Sequence, residues 1–289
     1  MSRVSEAKEA SRERHPARPA DPPPGRPRRP PGVRRHRAGH GHPVVLLPGM
    51  LDLRSAYRHL HPLLTAAGHR VVTMDLRGMG ESSAAWDDYS PTAIAGDVRA
   101  LLDHLGIDRA VLVGSSYTGA TVVRVAADAP ERVAGIVLVD AFFENFPPNL
   151  LQKAMVGLLA PAVTWFPGLW GAAQKFYFPT ARPADFDAQR ARLVAALKQP
   201  GRRRAVRGYV RGDSAPTGWG ADVQCPALVV MGSRDPDFPD PAALAERQAS
   251  ALRGRMVIIE GGGHYPMAGY PQATADALLP FLAEVNEVA

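Results

Sequence analysis

Three residues far apart in this 289-residue chain have the types and settings that acyl transfer requires: Ser116, Asp235 and His264. Ser116 lies in Gly114-Ser115-Ser116-Tyr117-Thr118-Gly119, after the apolar run Ala110 to Val113 and ahead of a small-residue helical pattern. A serine at a sharp strand-to-helix turn points its hydroxyl out of the sheet, beside the free N–H groups that open the helix. Those are the needs of an acyl-transfer nucleophile: exposure, a fixed direction and donors for the developing oxyanion. Gly114 is small because a side chain two residues before the serine would clash in so tight a bend. Thr118 occupies the second small position. Making Ser115 the nucleophile would instead put Val113 and Tyr117 at the small positions, so Ser116 is the better candidate. Alone, the pattern would equally fit a helix-capping serine.

Two further segments favour catalysis. Asp235 follows the apolar run Ala227 to Met231, in Gly232-Ser233-Arg234-Asp235-Pro236. His264 follows Met256 to Ile259, in Gly261-Gly262-Gly263-His264-Tyr265-Pro266. In a parallel sheet the strand ends lie along one edge, so the three side chains can converge. His264 would take the proton of Ser116 and return it to the leaving group. Asp235 would fix the tautomer of the imidazole and stabilise its charged form. Asp140, after Val137-Leu138-Val139, is a second candidate for the acid, with Asp235 preferred. Asp237 and Glu260 read as solvent-facing or structural carboxylates. The oxyanion hole is expected from the backbone N–H of Tyr117 and that of Met50, with Leu51 as the alternative to Met50.

The elements that must position these groups alternate from residue 43 onward. Apolar runs at Val44 to Leu47, Arg70 to Met74, Ala110 to Gly114, Gly135 to Val139, Ala227 to Met231 and Met256 to Ile259 read as strands. Between them, helical spacing recurs over 55–67, from Ser90-Pro91 to Leu105, over 241–252 and over 272–284. Near-continuous apolar strands predict an α/β fold, a mostly parallel central sheet with helices on both faces. Residues 43–140 and 223–289 form this predicted core. Residues 141–222 are too long for a loop and rich in Trp, Phe, Pro and Arg, which predicts a helical cap insertion. Its aromatic residues are expected mainly in the cap's own core.

Composition bounds the function classes. Hydrophobic residues make up 46% and charged residues 21%, so a full core is available. A single cysteine, Cys225, excludes an intramolecular disulfide framework. No run is long enough for a transmembrane helix and no signal-peptide pattern opens the chain, so a cytoplasmic protein without a membrane span is expected. Residues 1–40 hold eleven Lys or Arg against four Asp or Glu, whereas the remainder holds 23 against 24. The basicity therefore belongs to the Pro- and Arg-rich segment 1–42, read as an extended tail, with Val33 and its neighbours a faint strand candidate. Without aromatic residues in that tail, no nucleic-acid partner is expected. No metal or cofactor site is predicted, and oligomeric state is not encoded in these patterns.

Leu47-Pro48-Gly49, the turn Asp75-Leu76-Arg77-Gly78-Met79-Gly80-Glu81-Ser82, the serine elbow, Gly232-Ser233-Arg234-Asp235 and Gly262-Gly263-His264 together resemble the α/β-hydrolase fold. The resemblance is closest to its capped esterase, epoxide-hydrolase-like and cofactor-free haloperoxidase-like branch. It implies a triad of Ser116, Asp235 and His264, a structural role for Asp75 to Ser82, and no cofactor. The dehalogenase and epoxide hydrolase members it resembles require a carboxylate at the elbow, where this chain has serine. The expected activity is cleavage of carboxylic esters, lactones or thioesters of apolar small molecules through an acyl-enzyme. C–C bond hydrolysis or perhydrolysis with the same triad, and small-molecule reception with little turnover, are the alternatives.

Overall fold

A computed structural model describes residues 33–35, 41–143, 161–211 and 219–287. Its centre is a seven-stranded sheet of order β1-β3-β2-β4-β5-β6-β7. The strands are β1 (Val33–Arg35), β2 (Val44–Leu47), β3 (Val71–Met74), β4 (Ala110–Ser115), β5 (Val133–Val139), β6 (Ala227–Gly232) and β7 (Arg255–Ile259). Six strands run parallel, and β1 pairs antiparallel with β3, Val33 opposite Met74. The sheet therefore begins inside the segment that sequence reading assigned to an extended tail. Most of that tail lies outside the described residues.

Side chains alternate across the sheet because successive Cβ atoms in a strand point to opposite faces. Val45 and Leu47 of β2, with Leu112, Leu138 and Val229, pack against α2 (Pro91–His104), α3 (Thr118–Asp128) and the helix Pro241–Ala251. Val44 and Leu46, with Val111, Val137 and Val230, pack on the other face against α1 (Leu60–Ala66) and the C-terminal helix Pro271–Glu287. Both faces are covered, which is why the strands carry almost no polar residues. The helical pattern over 55–67 resolves into a 3-10 turn at Arg54–Tyr57 followed by α1. At α2, Ser90 Oγ accepts the Ala93 N–H at 3.2 Å, with Pro91 in the first turn, as that dipeptide predicts.

Between β5 and β6 the described chain is helical at α4 (Pro167–Ala173), α5 (Phe186–Leu197) and α6 (Arg202–Arg211). Polar anchors dock these helices on the sheet's C-terminal side. The Arg202 guanidinium donates to the carbonyls of Ser82 (2.8 Å) and Gly80 (2.6 Å), and Trp170 Nε1 donates to the Leu51 carbonyl (3.1 Å). Arg58 pairs with Asp185 at 2.6 Å. The aromatic residues of this segment divide: Phe178 is buried, whereas Trp165, Phe166 and Phe176 are exposed.

Register then explains the position of the site. Leu47 pairs with Gly114, Ser115 with Val139, Val139 with Val230 and Gly232 with Ile259. The loops after β2, β4, β5, β6 and β7 thus leave the sheet along one edge, at the end where parallel sheets bind ligands.

Candidate active site

The turn after β4 is closed by small residues and by one hydroxyl. A Cβ on Gly114 would lie 2.4 Å from the carbonyl oxygen of Thr118, so only glycine lets the strand meet the helix there. Thr118 Oγ1 is buried, accepts the Ser115 N–H at 2.9 Å, and has the carbonyls of Leu47 (3.0 Å) and Pro48 (3.1 Å) within reach of its proton. The hydroxyl therefore ties the end of β2 to the start of α3, a task glycine could not perform. Ser116, between them, sits at φ +52°, a left-handed conformation that costs an L-residue about 1–2 kcal/mol. Its carbonyl accepts the N–H groups of Gly119 and Phe142, both at 3.0 Å, and its own N–H reaches Val139 O at 3.1 Å. These bonds hold the strained turn in place.

The loop after β2 lies directly against this serine. A Cβ on Gly49 would come within 3.1 Å of Ser116 Cβ and 3.6 Å of Oγ, so Met50 begins a turn beside the hydroxyl. Leu51 follows at φ +56°. Asp52 is buried behind it, accepts the Leu53 N–H at 2.7 Å, and is pushed up to about 6 by burial.

The loops after β6 and β7 interlock. A Cβ on Gly232 would strike the carbonyls of Gly262 and Gly263 at 2.5 Å, and Arg234 N–H donates to Gly262 O at 2.8 Å. His264 Nδ1 is then 2.7 Å from Asp235 Oδ2, and both side chains are buried. Asp235 Oδ1 accepts the Asp237 N–H at 2.9 Å, which fixes the carboxylate's orientation. Burial opposes a charged imidazole, but the carboxylate of Asp235, with Asp237 beyond it, outweighs that and raises His264 to about 9. Asp140, the alternative acid, makes no hydrogen bond to His264; its Oδ1 accepts the Gly232 N–H at 2.8 Å instead.

Two residues of the site escaped sequence reading. Asp237, read as a solvent or structural carboxylate, has Oδ2 3.6 Å from His264 Nε2. Tyr177 packs its ring 5.1 Å from the imidazole and accepts the His264 N–H through its carbonyl at 3.2 Å. Glu260 is exposed, as expected. Among the described residues Ser116 Oγ has no hydrogen-bond partner; bonds of this kind often tighten only when substrate is present. Asp235, Asp237 and His264 could each turn a ligand atom to one ion, within 4.8 Å of one another. Asp235 Oδ2 and His264 Nδ1 are already spent on each other, and Asp237 stands on the Nε2 side as a second acidic neighbour at ion-pair distance.

A family model for the alpha/beta hydrolase fold matches residues 42–268. The chain belongs to the α/β-hydrolase-fold family. This α/β hydrolase is 35% identical over 130 residues to bifunctional epoxide hydrolase 2 of Sus scrofa, a match covering 44% of this chain and 23% of that protein's length. It is 28% identical over 300 residues to epoxide hydrolase A of Mycobacterium tuberculosis, covering 84% of this chain and 91% of that one. Among solved structures, a thermophilic esterase from Thermogutta terrifontis superposes with a TM-score of 0.71 at 25% identity, over 88% of this chain and 94% of its own. The α/β hydrolase thus has relatives named as epoxide hydrolases and as an esterase.

Proposed function

We propose that this chain is a serine hydrolase that cleaves carboxylic esters of uncharged, apolar small molecules through an acyl-enzyme on Ser116. The observation that carries this reading is the shared strand edge: strained Ser116 against Gly49 on one side, and the His264–Asp235 pair on the other. Ser116 Oγ attacks the ester carbonyl carbon as its proton passes to Nε2 of His264. The resulting oxyanion takes hydrogen bonds from the backbone N–H groups of Met50 and Tyr117. Loss of one such donor typically costs about 3 kcal/mol in the barrier. The tetrahedral adduct collapses, the C–O bond to the leaving group breaks, and the departing alkoxide takes the proton from His264. Water then repeats the sequence on the acyl-enzyme, with His264 as base, and releases the acid. Throughout, Asp235 holds Nδ1–H and offsets the imidazolium charge.

Serine at position 116 separates this reading from the epoxide hydrolases among its relatives, because an elbow carboxylate is what the resemblance implies for their chemistry. The rings of Phe142, Tyr177 and Phe238 around His264 supply apolar walls, which suit an uncharged acyl or aryl group. We read the helical segment between β5 and β6 as the cap that closes this space. The test is covalent. A fluorophosphonate probe is expected to leave its phosphonyl group on the Ser116 peptide, read by mass spectrometry, and to leave Ser116→Ala unlabelled. A folded wild type that stays unlabelled, or that labels elsewhere, removes Ser116 as the nucleophile.

A further inference from the structure

Asp140 is a buried titratable group for which the proposed triad has no use. It directly follows β5, is 0% exposed, and holds a left-handed backbone at φ +44°. Its Oδ1 accepts the N–H of Gly232, the last residue of β6, at 2.8 Å. Its Oδ2 is buried without a hydrogen-bond partner, and Asp235, three residues beyond Gly232, is the carboxylate that acts on it most strongly. Asp235, 2% exposed, already receives His264 Nδ1 at 2.7 Å and the Asp237 N–H at 2.9 Å. The titratable groups facing Asp140 are Asp235 and His264, and no Lys or Arg pairs with it among the described residues. Two carboxylates buried against each other beside one imidazole cannot both carry charge. A proton between them resolves the conflict: Asp235 is committed to the imidazole, so Asp140 is the one that holds it.

We propose that Asp140 is a positioning residue, a neutral carboxylic acid whose Oδ2–H donates a hydrogen bond to the carboxylate of Asp235. Burial, followed by the neighbouring charge of Asp235, drives the Asp140 carboxyl well above the usual carboxylate range. Asp235 then receives donors from three directions, from the loop after β7, from its own loop and from the end of β5. Its rotation is fixed, and with it the direction in which Nε2 of His264 points. The oxygen that accepts from Gly232 and the one that donates to Asp235 also join the end of β5 to the end of β6 and the loop after it.

The inference rests on the Ser116–His264–Asp235 reading, and its test separates the two. Asp140→Asn keeps one acceptor and one neutral donor; Asp140→Ala keeps neither. The full chain, labelled with nitrogen-15 at histidine, gives the His264 titration by NMR whether or not the protein turns over an ester. With Asp140→Asn the His264 pKa is expected to stay within about 0.3 of wild type, because no charge has been removed. With Asp140→Ala, kcat on an activated ester is expected to fall about tenfold or more at little change in KM, and Asp140→Asn to restore most of the loss. A His264 pKa lowered by about one unit or more in Asp140→Asn would mean that Asp140 carries the negative charge, and would overturn the proposal. Wild-type kcat in a folded Asp140→Ala would overturn it equally. Should Asp140→Ala fail to fold, the titration in Asp140→Asn decides alone. Turnover that survives Ser116→Ala would remove the triad reading while leaving the His264 titration to decide on Asp140.

Discussion

Asp237 Oδ2 lies 3.6 Å from Nε2 of His264, on the opposite side of the ring from the 2.7 Å contact between Nδ1 and Asp235. The imidazole is thus bracketed by carboxylates in the resting site, and its charged form is favoured up to about pH 9. A general base must be neutral to act. For the free enzyme kcat/KM is therefore expected to rise with pH, to be half-maximal near pH 9 and to level off only above about pH 10. Asp237→Asn removes an anion from the Nε2 side, so the rising limb should move toward acid by about one unit. A pH–rate profile of the two proteins measures the shift, and a limb that does not move contradicts the assignment.

The hydroxyl of Thr118 does what no glycine could do, by joining β2, β4 and α3. Thr118→Val keeps the shape and removes the hydroxyl, which leaves the Ser115 N–H buried without its acceptor. A loss of about 1–3 kcal/mol in stability is expected, read as a lower urea midpoint, together with slower acylation. Thr118→Ser should recover most of both. Equal midpoints for wild type and Thr118→Val would show that the bridge contributes nothing.

Gly114 tests the tightness of the same turn. Its alanine variant would push a methyl group to within 2.4 Å of the Thr118 carbonyl, where the obstacle is backbone and cannot swing away. The expected cost is about 3 kcal/mol or more, with the serine displaced and turnover lost. Retained activity at wild-type stability would mean that the elbow is looser than this contact implies.

Much of this site is legible in the residue pattern. Gly114, Ser116 and Gly119 announce a strand-to-helix turn within six residues, and Asp235 and His264 each follow an unmistakable apolar strand. Local signals suffice there because β4 and β6 are buried throughout, β7 ends in buried Ile259, and glycine stands at each of these strand ends or in the turn after it. Asp237 and Tyr177 are not legible in this way. Asp237 resembles any loop carboxylate, and it reaches His264 only because the loops after β6 and β7 interlock through Gly232. Tyr177 comes from the insertion, and its carbonyl meets the His264 N–H through docking that no local pattern encodes. Strand β1 is short and charged, so its pairing with β3 is set by the partner's register rather than by its own composition.

Asp52 offers a test of the oxyanion loop that needs no substrate. Its folded pKa of about 6 exceeds the ordinary value of 3.8, so the folded state holds its proton more tightly than the unfolded chain. The sign follows: ionisation of Asp52 destabilises the fold, with no effect below about pH 4 and the full effect above about pH 6. Asp52→Asn, which can still accept the Leu53 N–H, should therefore raise stability by up to about 3 kcal/mol at pH 8 and change little at pH 4. Thermal melts of both proteins at the two pH values measure the difference. A gain of the same size at both would contradict the burial of a charged Asp52.

The acyl-enzyme on Ser116 is tested most directly by pre-steady-state kinetics with p-nitrophenyl esters of increasing acyl chain length. The account predicts a burst of p-nitrophenol equal to the enzyme concentration, followed by slower turnover, and no burst with Ser116→Ala. The chain length with the fastest burst would size the acyl pocket. A folded wild type that shows neither burst nor turnover with any ester, or a burst that persists in Ser116→Ala, would contradict it.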